Sequence, residues 1–384
     1  MVAKLKADSR ERQEHVNKSL SVLNKAIDLD ALRKKIATSK TTWLVANVVD
    51  GLNHHYLPPA LPAGFTVMAT DGSHIDVDRH RFARCYLLNI GEVVLRYGVS
   101  PSASLGSTPR LYSDDSDLII PPPEGVVREQ IIEGNLLGLK RSVEECRHLQ
   151  GLLSGADAAI PALGLLDGTL ILWGLEAYPD FVAEELLDKG LLSCLDEVRK
   201  LGKDRALAIA SYISFPRSTD VVNITRLVLC PHDPTADCDR YCGRNKEKEC
   251  DAVAGVRDRD LFTGVLGEGE RSALFISPSR IQQRYGEHRI YFFYLRADEE
   301  LARVEIPQWV AQDKGRLDLV HTLVLDQCQR GHGYPVVLSE AHEQAVVTGA
   351  DRENFWQLVE SSLVEEHMPT STSAKSQSKK TRWV

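Results

Sequence analysis

The first forty residues place apolar side chains three to five positions apart, with Lys, Arg, Asp and Glu between them. The apolar positions are Leu20, Leu23, Ile27, Leu32 and Ile36. This spacing is typical of an amphipathic helix, which has one apolar face and one charged face. We therefore expect a helical arm over residues 1–40, packed either on its own domain or against a partner chain.

Short apolar runs rich in β-formers follow the arm. The run FTVMATDG at 65–72 is typical of a core strand that ends on an acid. Two further runs, ARCYLLNI at 83–90 and EVVLRY at 92–97, are separated by little more than Gly91. That pattern predicts a hairpin beside the first strand.

Helical and strand patterns then alternate. The segment 99–125 contains five prolines with Ser and Asp, and we expect a loop or insertion there. Residues 126–153 have helical periodicity without proline and predict one long helix. The run ALGLLDGTLI at 162–171 is typical of a strand buried on both faces. Later expectations are helices at 180–200, 317–330 and 352–366, and strands at 206–213, 289–296 and 301–307.

Composition narrows the class of protein. The chain has 384 residues, is 43% hydrophobic and 26% charged, and carries a net charge of −8, which indicates a folded, mildly acidic protein. A local basic groove can still bind phosphates on an acidic protein. No apolar run approaches the roughly 20 residues that span a bilayer, and the charged N-terminus is unlike a secretory signal. We expect a cytoplasmic protein with one main domain at 41–366 and a disordered basic tail at 367–384.

Acidic residues fall where two strands and a helix can bring them together. Asp71 ends the first strand, Asp167 ends the next buried strand, and Glu144 and Glu145 lie on the long helix. Three carboxylates at one edge of a sheet are costly unless divalent cations neutralise them, and oxygen ligands favour Mg²⁺ or Mn²⁺. Two such ions about 4 Å apart would activate a water and stabilise the leaving oxygen of a phosphodiester. This is the active-site plan of ribonuclease H-like nucleases.

Each acid also has a structural explanation. Asp-Gly followed by Ser or Thr, at 71–73 and 167–169, is a common turn in which the acid caps backbone amides. Adjacent residues on a helix point about 100° apart, so only one of Glu144 and Glu145 can face the site. The apolar neighbours Val143 and Leu149 favour neither glutamate.

Five stretches in order resemble the NurA family of nucleases, over about residues 40–366. They are MATDGS ending at 73, LLDGTLILW at 165–173, SYISFPRSTDVVN at 211–223, RIYFFYLR at 289–296 with VEIPQWV at 304–310, and LDQCQRGHGYPVVLSEAHEQAVVTG at 325–349. The resemblance implies an α/β fold with a ribonuclease H-like core, in which helices flank a mixed central sheet. The N-terminal helical arm and a Cys-bearing insertion at 230–256 would be added to this core.

The resemblance also implies an activity and partners. Members are metal-dependent DNA exonucleases, here expected to act 5′ to 3′, and often endonucleases as well. They form homodimers and process DNA ends with a hexameric HerA-type ATPase in repair and recombination. Mn²⁺ or Mg²⁺ would be the cofactor, and no membrane partner is expected.

The resemblance assigns the metal-binding carboxylates. Asp71 and Asp167 correspond to the family's two Asp-Gly motifs. A glutamate on the helix before the second motif completes the set, and the resemblance favours Glu145 over Glu144, with Glu129 as a further alternative.

Other residues are expected to contact metal or DNA. A Tyr and a His eight positions apart match Tyr334 and His342. His342 would bind metal or the scissile phosphate, and Tyr334 would hydrogen-bond to DNA or stack on it. Arg217 follows a strand, where its guanidinium would bind a phosphate or form an exposed salt bridge. The basic stretch 279–289 is a further candidate lining of the DNA groove.

Four of the eight cysteines lie within 21 residues, which we call the cysteine island. They are Cys230, Cys238, Cys242 and Cys250, and His232 is close to them. In a reducing compartment such a group most naturally binds zinc or an iron–sulfur cluster, with free thiols and disulfides as alternatives. The remaining cysteines, Cys85, Cys146, Cys194 and Cys328, are expected to be buried.

Two other classes of function compete with the nuclease. One is a non-catalytic, metal-stapled DNA-binding or scaffold subunit of an ATPase complex. The other is a phosphoryl-transfer hydrolase for small substrates, which the lack of a Gly-rich nucleotide-binding loop disfavours. Retention of all the motif residues favours the nuclease.

Overall fold

The computed structural model describes residues 2–77, 83–243 and 248–367. The strands are β1 (Asn47–Val48), β2 (His55–Tyr56), β3 (Phe65–Ile75), β4 (Tyr86–Tyr97), β5 (Ser102–Tyr112), β6 (Ile119–Ile120), β7 (Gln130–Ile131), β8 (Ala162–Asp167), β9 (Leu207–Ile213), β10 (Arg271–Ser272), β11 (Phe275–Ile276), β12 (Ile290–Ala297) and β13 (Glu300–Pro307). The α-helices are α1 (Val2–Leu23), α2 (Leu29–Thr38), α3 (Asp115–Leu118), α4 (Asn135–Ser154), α5 (Asp180–Ala183), α6 (Ser193–Leu201), α7 (Val222–Leu229), α8 (Cys238–Tyr241), α9 (Asp258–Thr263), α10 (Gln308–Ala311), α11 (Lys314–Arg330), α12 (Val336–Ala345) and α13 (Gly349–Glu365). A π-helical segment, Glu184–Leu192, joins α5 to α6, so the helix expected at 180–200 is confirmed.

One mixed sheet organises the described part of the chain. Its strands follow the order β1-β11-β12-β13-β9-β8-β3-β4-β5, and β10 pairs with both β12 and β2. The β3–β8 and β8–β9 pairs are parallel, whereas β3–β4, β4–β5 and β9–β13 are antiparallel. The portion β5-β4-β3-β8-β9 therefore has the strand order of a ribonuclease H-like core. The expected mixed α/β fold is confirmed.

Helices cover both faces of the sheet near its centre. Gly72 faces α4, because a Cβ on this residue would lie 2.6 Å from the Glu145 Oε1 atom. Asp71 and its cross-strand partner Gly91 face the opposite side, where α12 packs. Since both faces are covered, β8 is buried from Ala162 to Leu166, which explains its near-continuous apolar run.

Three sequence-based expectations are wrong. No hairpin forms at Gly91, because β4 runs straight through this residue and pairs with β3 and β5. The segment 99–125, expected to be a loop, contains β5, whose mostly exposed side chains give no alternating apolar signal. The long helix begins at Asn135, since the short strand β7 occupies part of the segment before it.

The N-terminal arm forms two helices and packs on its own domain. The Asp28 side chain accepts hydrogen bonds from two backbone N–H groups and so starts α2. Leu23 and Leu32 are buried in a cluster that also contains Ile224 of α7 and Phe292 of β12. A contact between the arm and a partner chain stays a prediction.

No helix in the described ranges is long and apolar enough to span a membrane. The cytoplasmic location stays a prediction. Of the tail expected to be disordered at 367–384, residues 368–384 lie outside the described part of the chain.

Candidate active site

Two aspartates lie side by side at the end of β8. The parallel pairing of β3 with β8 runs to Thr70 opposite Leu166, so Asp71 and Asp167 occupy the next position on each strand. The sequence predicted Asp71 at the end of its strand, and this is wrong: β3 continues to Ile75, so Asp71 lies inside the strand. β8 stops at Asp167, and Gly168 then takes a left-handed φ of +86°. The chain turns away there and leaves Asp167 exposed at the edge of the sheet, while the Asp71 side chain is 16% exposed.

Helix α4 brings Glu145 to this pair of acids. The Thr70 hydroxyl donates a hydrogen bond of 2.8 Å to the Glu145 carbonyl oxygen and so holds the helix against β3. Burial raises the pKa of Glu145 to about 8; Arg141 opposes this shift, and the charges of Asp71 and Asp167 add to it. The Arg141 Nε atom is 3.0 Å from Glu145 Oε1, but this buried oxygen has no hydrogen bond among the described residues.

Glu144 faces a different environment. Its Oε1 atom lies 2.6 Å from both Lys140 Nζ and Arg147 Nη1. Burial alone would raise the pKa of Glu144, but these two cations outweigh it and the pKa is lowered. The third alternative, Glu129, is exposed just before β7. Of the three candidate glutamates, the structure places Glu145 beside the aspartates.

Helix α12 adds a histidine from the opposite face of the sheet. The His342 Nδ1 atom lies 2.8 Å from Asp71 Oδ2, and the imidazole is 65% exposed. The amide of Asn89 donates to the carbonyl oxygen of Ala345 at 3.0 Å and ties the end of α12 to β4. A Cβ at Gly91 would lie 2.3 Å from the carbonyl oxygen of Ala341, so glycine is required for this close approach. The helix can thereby place His342 over Asp71.

Tyr334 contacts the other aspartate. Its hydroxyl lies near the Asp167 carboxylate and lowers the pKa of that group, and its ring packs edge-on against Tyr212 with centroids 5.6 Å apart. Burial and the charge of Asp167 raise the pKa of Tyr334, so the phenol stays protonated and acts as donor. Burial, followed by the charge of Asp71, raises the pKa of Asp167.

A buried ion-pair network supports the turn after Asp167. Glu305 Oε2 accepts hydrogen bonds from the Thr169 hydroxyl at 2.7 Å and from the Leu170 N–H at 3.0 Å. Arg303 bridges Glu305 and Asp220, each at 2.9 Å. Sequence reasoning missed these residues. The available signal was a pair of charges, Arg303 and Glu305, among apolar residues in the interior of β13.

Arg217 lies outside this network. It is exposed after β9 and lines a cleft of about 330 Å³ together with Gly168 and Thr169. The stretch 279–289 was expected to line a DNA groove, but one of its basic residues forms ion pairs within the protein. Arg284 pairs with Asp180 at 3.2 Å and with Asp188 at 2.6 Å.

The cysteine island forms a separate site. Three of its four thiols, Cys230, Cys242 and Cys250, line a cavity of about 180 Å³ with His232. The His232 ring stacks on Tyr241 with centroids 4.3 Å apart. All eight cysteines are free thiols, and Cys85, Cys146, Cys194 and Cys328 are buried as expected. Metal binding at the island stays a prediction.

The carboxylate site fits a divalent cation by the type of its donors. Three carboxylates and an imidazole lie near one another there, and the buried Glu145 Oε1 has Arg141 Nε beside it at 3.0 Å. Within the described ranges, however, no three Asp, Glu, His or Cys side chains are close enough to hold one ion. This holds for the cysteine island as well. The carboxylate and imidazole groups at the sheet edge are of the type that binds Mg²⁺ or Mn²⁺. Their side chains would have to move closer together to bind one ion.

Fold and site together define an α/β protein with a ribonuclease H-like core and a carboxylate cluster at the edge of its sheet. The chain belongs to the NurA family, because the model of the NurA domain matches residues 65–347. The solved structure of the NurA nuclease from Sulfolobus solfataricus is similar, at 16% identity and a TM-score of 0.45, over 82% of this chain and 88% of that one. An Argonaute from Aquifex aeolicus is 10% identical, with a TM-score of 0.26, over 73% of this chain and 28% of that one. Among curated protein sequences, none matches this chain.

Proposed function

We propose that this protein is a divalent-metal-dependent deoxyribonuclease that hydrolyses phosphodiester bonds at DNA ends. The observation that carries the proposal is that Asp71, Glu145 and Asp167 lie near one another at one sheet edge, on two strands and a helix. A carboxylate whose pKa is raised by burial and further by neighbouring carboxylates is typical of a functional site, and divalent cations neutralise such a cluster. Membership of the NurA family, a family of nucleases, supports this activity.

The residues of the site have different proposed roles. Asp71, Glu145, Asp167 and His342 would hold Mn²⁺ or Mg²⁺, which when bound supplies an activated water and stabilises the leaving oxygen. Asp71 holds the Nδ1 side of His342, which leaves Nε2 for the ion or the scissile phosphate, as in carboxylate-supported metal-binding histidines. The Tyr334 hydroxyl, which lowers the pKa of Asp167, would orient this carboxylate and contact a bound strand.

Substrate binding in this proposal follows the DNA backbone. Arg217 would contact a phosphate, and Tyr334 would hydrogen-bond to the strand or stack on a base. Contacts of this type carry no base-sequence information, so the enzyme would cut ends of any sequence.

The proposal extends to the assembly. On the basis of family membership, we expect a homodimer that works 5′ to 3′ with a hexameric HerA-type ATPase in DNA repair and recombination. Two-fold symmetric dimers are the commonest oligomers. Light scattering of the chain alone and co-purification with the ATPase would test the two parts of this expectation separately.

The decisive experiment uses end-labelled linear DNA with Mn²⁺, Mg²⁺ or EDTA. Wild type should release nucleotides with metal and none with EDTA. Asp71→Asn and Asp167→Asn should lose at least about a hundredfold in rate, because each loses a charged oxygen ligand. Asp204→Asn removes an exposed aspartate from a distant turn and should cut normally.

Undiminished cutting by either site variant would refute the assignment of the acids. DNA binding without cutting under any of the metal conditions would instead favour the non-catalytic scaffold subunit.

A further inference from the structure

We propose that the cleft beside the Asp167 turn, lined by Trp173 and Arg217, is a subsite for the nucleotide next to the scissile bond. Trp173 stacks on the base, and Arg217 binds the adjoining phosphate. This inference rests on the proposed nuclease activity and extends it from the acids to the substrate.

The cleft lies one strand away from the acids. Its walls include residues that follow β8 and residues that follow β9, which are neighbouring parallel strands, together with Leu44 and two residues of β13. Open α/β sheets bind their ligands outside such carboxyl ends. Neighbouring strands lie about 4.8 Å apart, so a group in the cleft is next to whatever the acids hold. The volume of about 330 Å³ is at the small end for ligand sites and suits one nucleotide rather than a duplex.

Trp173 is exposed on a turn that is otherwise buried. Its indole is 43% exposed, although the three residues before it, 170–172, are buried. The Tyr285 hydroxyl donates to the Leu170 carbonyl oxygen and accepts from the Leu172 N–H, each at 3.0 Å. The turn that carries Trp173 is therefore fixed, and an aromatic ring held rigidly at the surface loses little entropy when a base stacks on it.

Arg217 is available for a phosphate. Among the described residues it makes no ion pair or hydrogen bond, although it lines the same cleft as Arg303, which is engaged by Asp220 and Glu305. A planar guanidinium matches the geometry of a phosphate.

The other residues that line the cleft are suited to contact the base and the sugar of a nucleotide. Leu44, Ile213 and Pro216 supply apolar surface, and Gly168 lets the strand approach closely because it has no Cβ. One aromatic ring, apolar walls and one unpaired cation together match a nucleotide.

The test is a double-mutant cycle between the protein and the substrate. Single-stranded, end-labelled oligodeoxynucleotides are compared with copies that carry one abasic residue at successive positions from the end. At the position that occupies the cleft, wild type should cleave the abasic copy about tenfold more slowly, since stacking on one base is worth about 1–3 kcal/mol. Trp173→Leu should lose about as much on the intact strand and nothing further on the abasic one.

Two control variants test whether the effect of Trp173→Leu comes from loss of the stacking ring at this position rather than from loss of any aromatic side chain. Trp173→Phe keeps a stacking ring and should retain most of the rate on the intact strand. Phe355→Leu, on α13 and packed against a separate small cluster, should behave as wild type at every abasic position. Thermal melts should show that Trp173→Leu is folded.

Additive losses, in which the abasic residue costs wild type and Trp173→Leu equally, would overturn the subsite while leaving the nuclease intact. Absence of cleavage with both metals would overturn the proposed function instead. In that case the affinities for the same oligonucleotides, measured by fluorescence anisotropy in EDTA, test whether the cleft binds a nucleotide, because binding does not require hydrolysis. Equal affinities of wild type and Trp173→Leu for the intact strand would refute it.

Discussion

Gly72 lies directly beneath the carboxylate of Glu145, so close that a Cβ at position 72 would be 2.6 Å from Oε1. The φ of Gly72 is not left-handed, and the residue sits within a regular strand. Glycine is needed there for space and not for backbone freedom. The Asp-Gly pair in β3 thus provides one carboxylate and the room for another.

Replacing this glycine should therefore disturb the acids. We expect Gly72→Ala to lower the rate of DNA cleavage at least about tenfold and the free energy of unfolding by about 1–3 kcal/mol, because the methyl group must displace Glu145. Gly106→Ala is the matched control, since it lies in β5 of the same sheet and its Cβ would meet nothing within 4 Å. Rate assays and urea titrations of both variants would check this. A Gly72→Ala enzyme of normal rate would show that Glu145 has no part in the site.

The two adjacent glutamates should respond to pH in opposite ways. Glu145 has a pKa of about 8 in the folded chain against a usual value of 4.5, so the stability it confers is complete below about pH 4.5 and is lost as the pH rises through 8. Glu145→Gln should thus raise the melting temperature of the metal-free protein at about pH 9, with little change at about pH 4.5.

Glu144→Gln is the matched control for this shift. The pKa of Glu144 is lowered by Lys140 and Arg147, so its contribution is present at neutral pH and fades as the pH falls. This variant should lower the melting temperature at neutral pH. The same sign of effect for both variants at about pH 9 would contradict the placement of α4.

The Thr169 hydroxyl should matter for positioning the turn after Asp167. Thr169→Val removes the 2.7 Å hydrogen bond to Glu305 and should cost about 1 kcal/mol in the free energy of unfolding, together with a fall in kcat. Thr169→Ser keeps the hydroxyl and should restore kcat. Steady-state kinetics and thermal melts would check both variants. Equal kcat values for the Val and Ser variants would mean that Glu305 supports stability alone.

The cysteine island should bind metal if the sequence-based expectation holds. Purified protein should then contain about one zinc ion, or one coloured cluster, per chain. Cys242→Ser should release it, whereas Cys85→Ser, which changes a buried cysteine in a separate cluster, should not. Elemental analysis and thiol titration would decide. Four freely titratable thiols and no metal would favour the free-thiol alternative.

The strands that carry the acids can be predicted from local sequence patterns. A buried strand has an apolar run of residues, and such runs at 65–72 and 162–171 predict strands that contain Asp71 and Asp167. The structure has β3 and β8 at these positions. Resemblance between ordered motifs then indicated the family. Apolar runs and the order of motifs can be identified in the sequence because they depend only on the residues of each segment and on the order of the segments.

Which polar side chains lie next to the aspartates depends on the packing of distant segments, and local sequence patterns do not predict it. The rotation of α4 about its axis places Glu145 rather than Glu144 at the acids, and this rotation is set by contacts with β3 that no local pattern encodes. The close packing of α12 on Gly91, which brings His342 to Asp71 across 271 positions, is equally non-local. Exposed β5 and buried Glu305 were missed for the same reason. Periodicity reports whether a segment is buried, whereas the partner of a polar side chain is chosen by packing between distant parts of the chain.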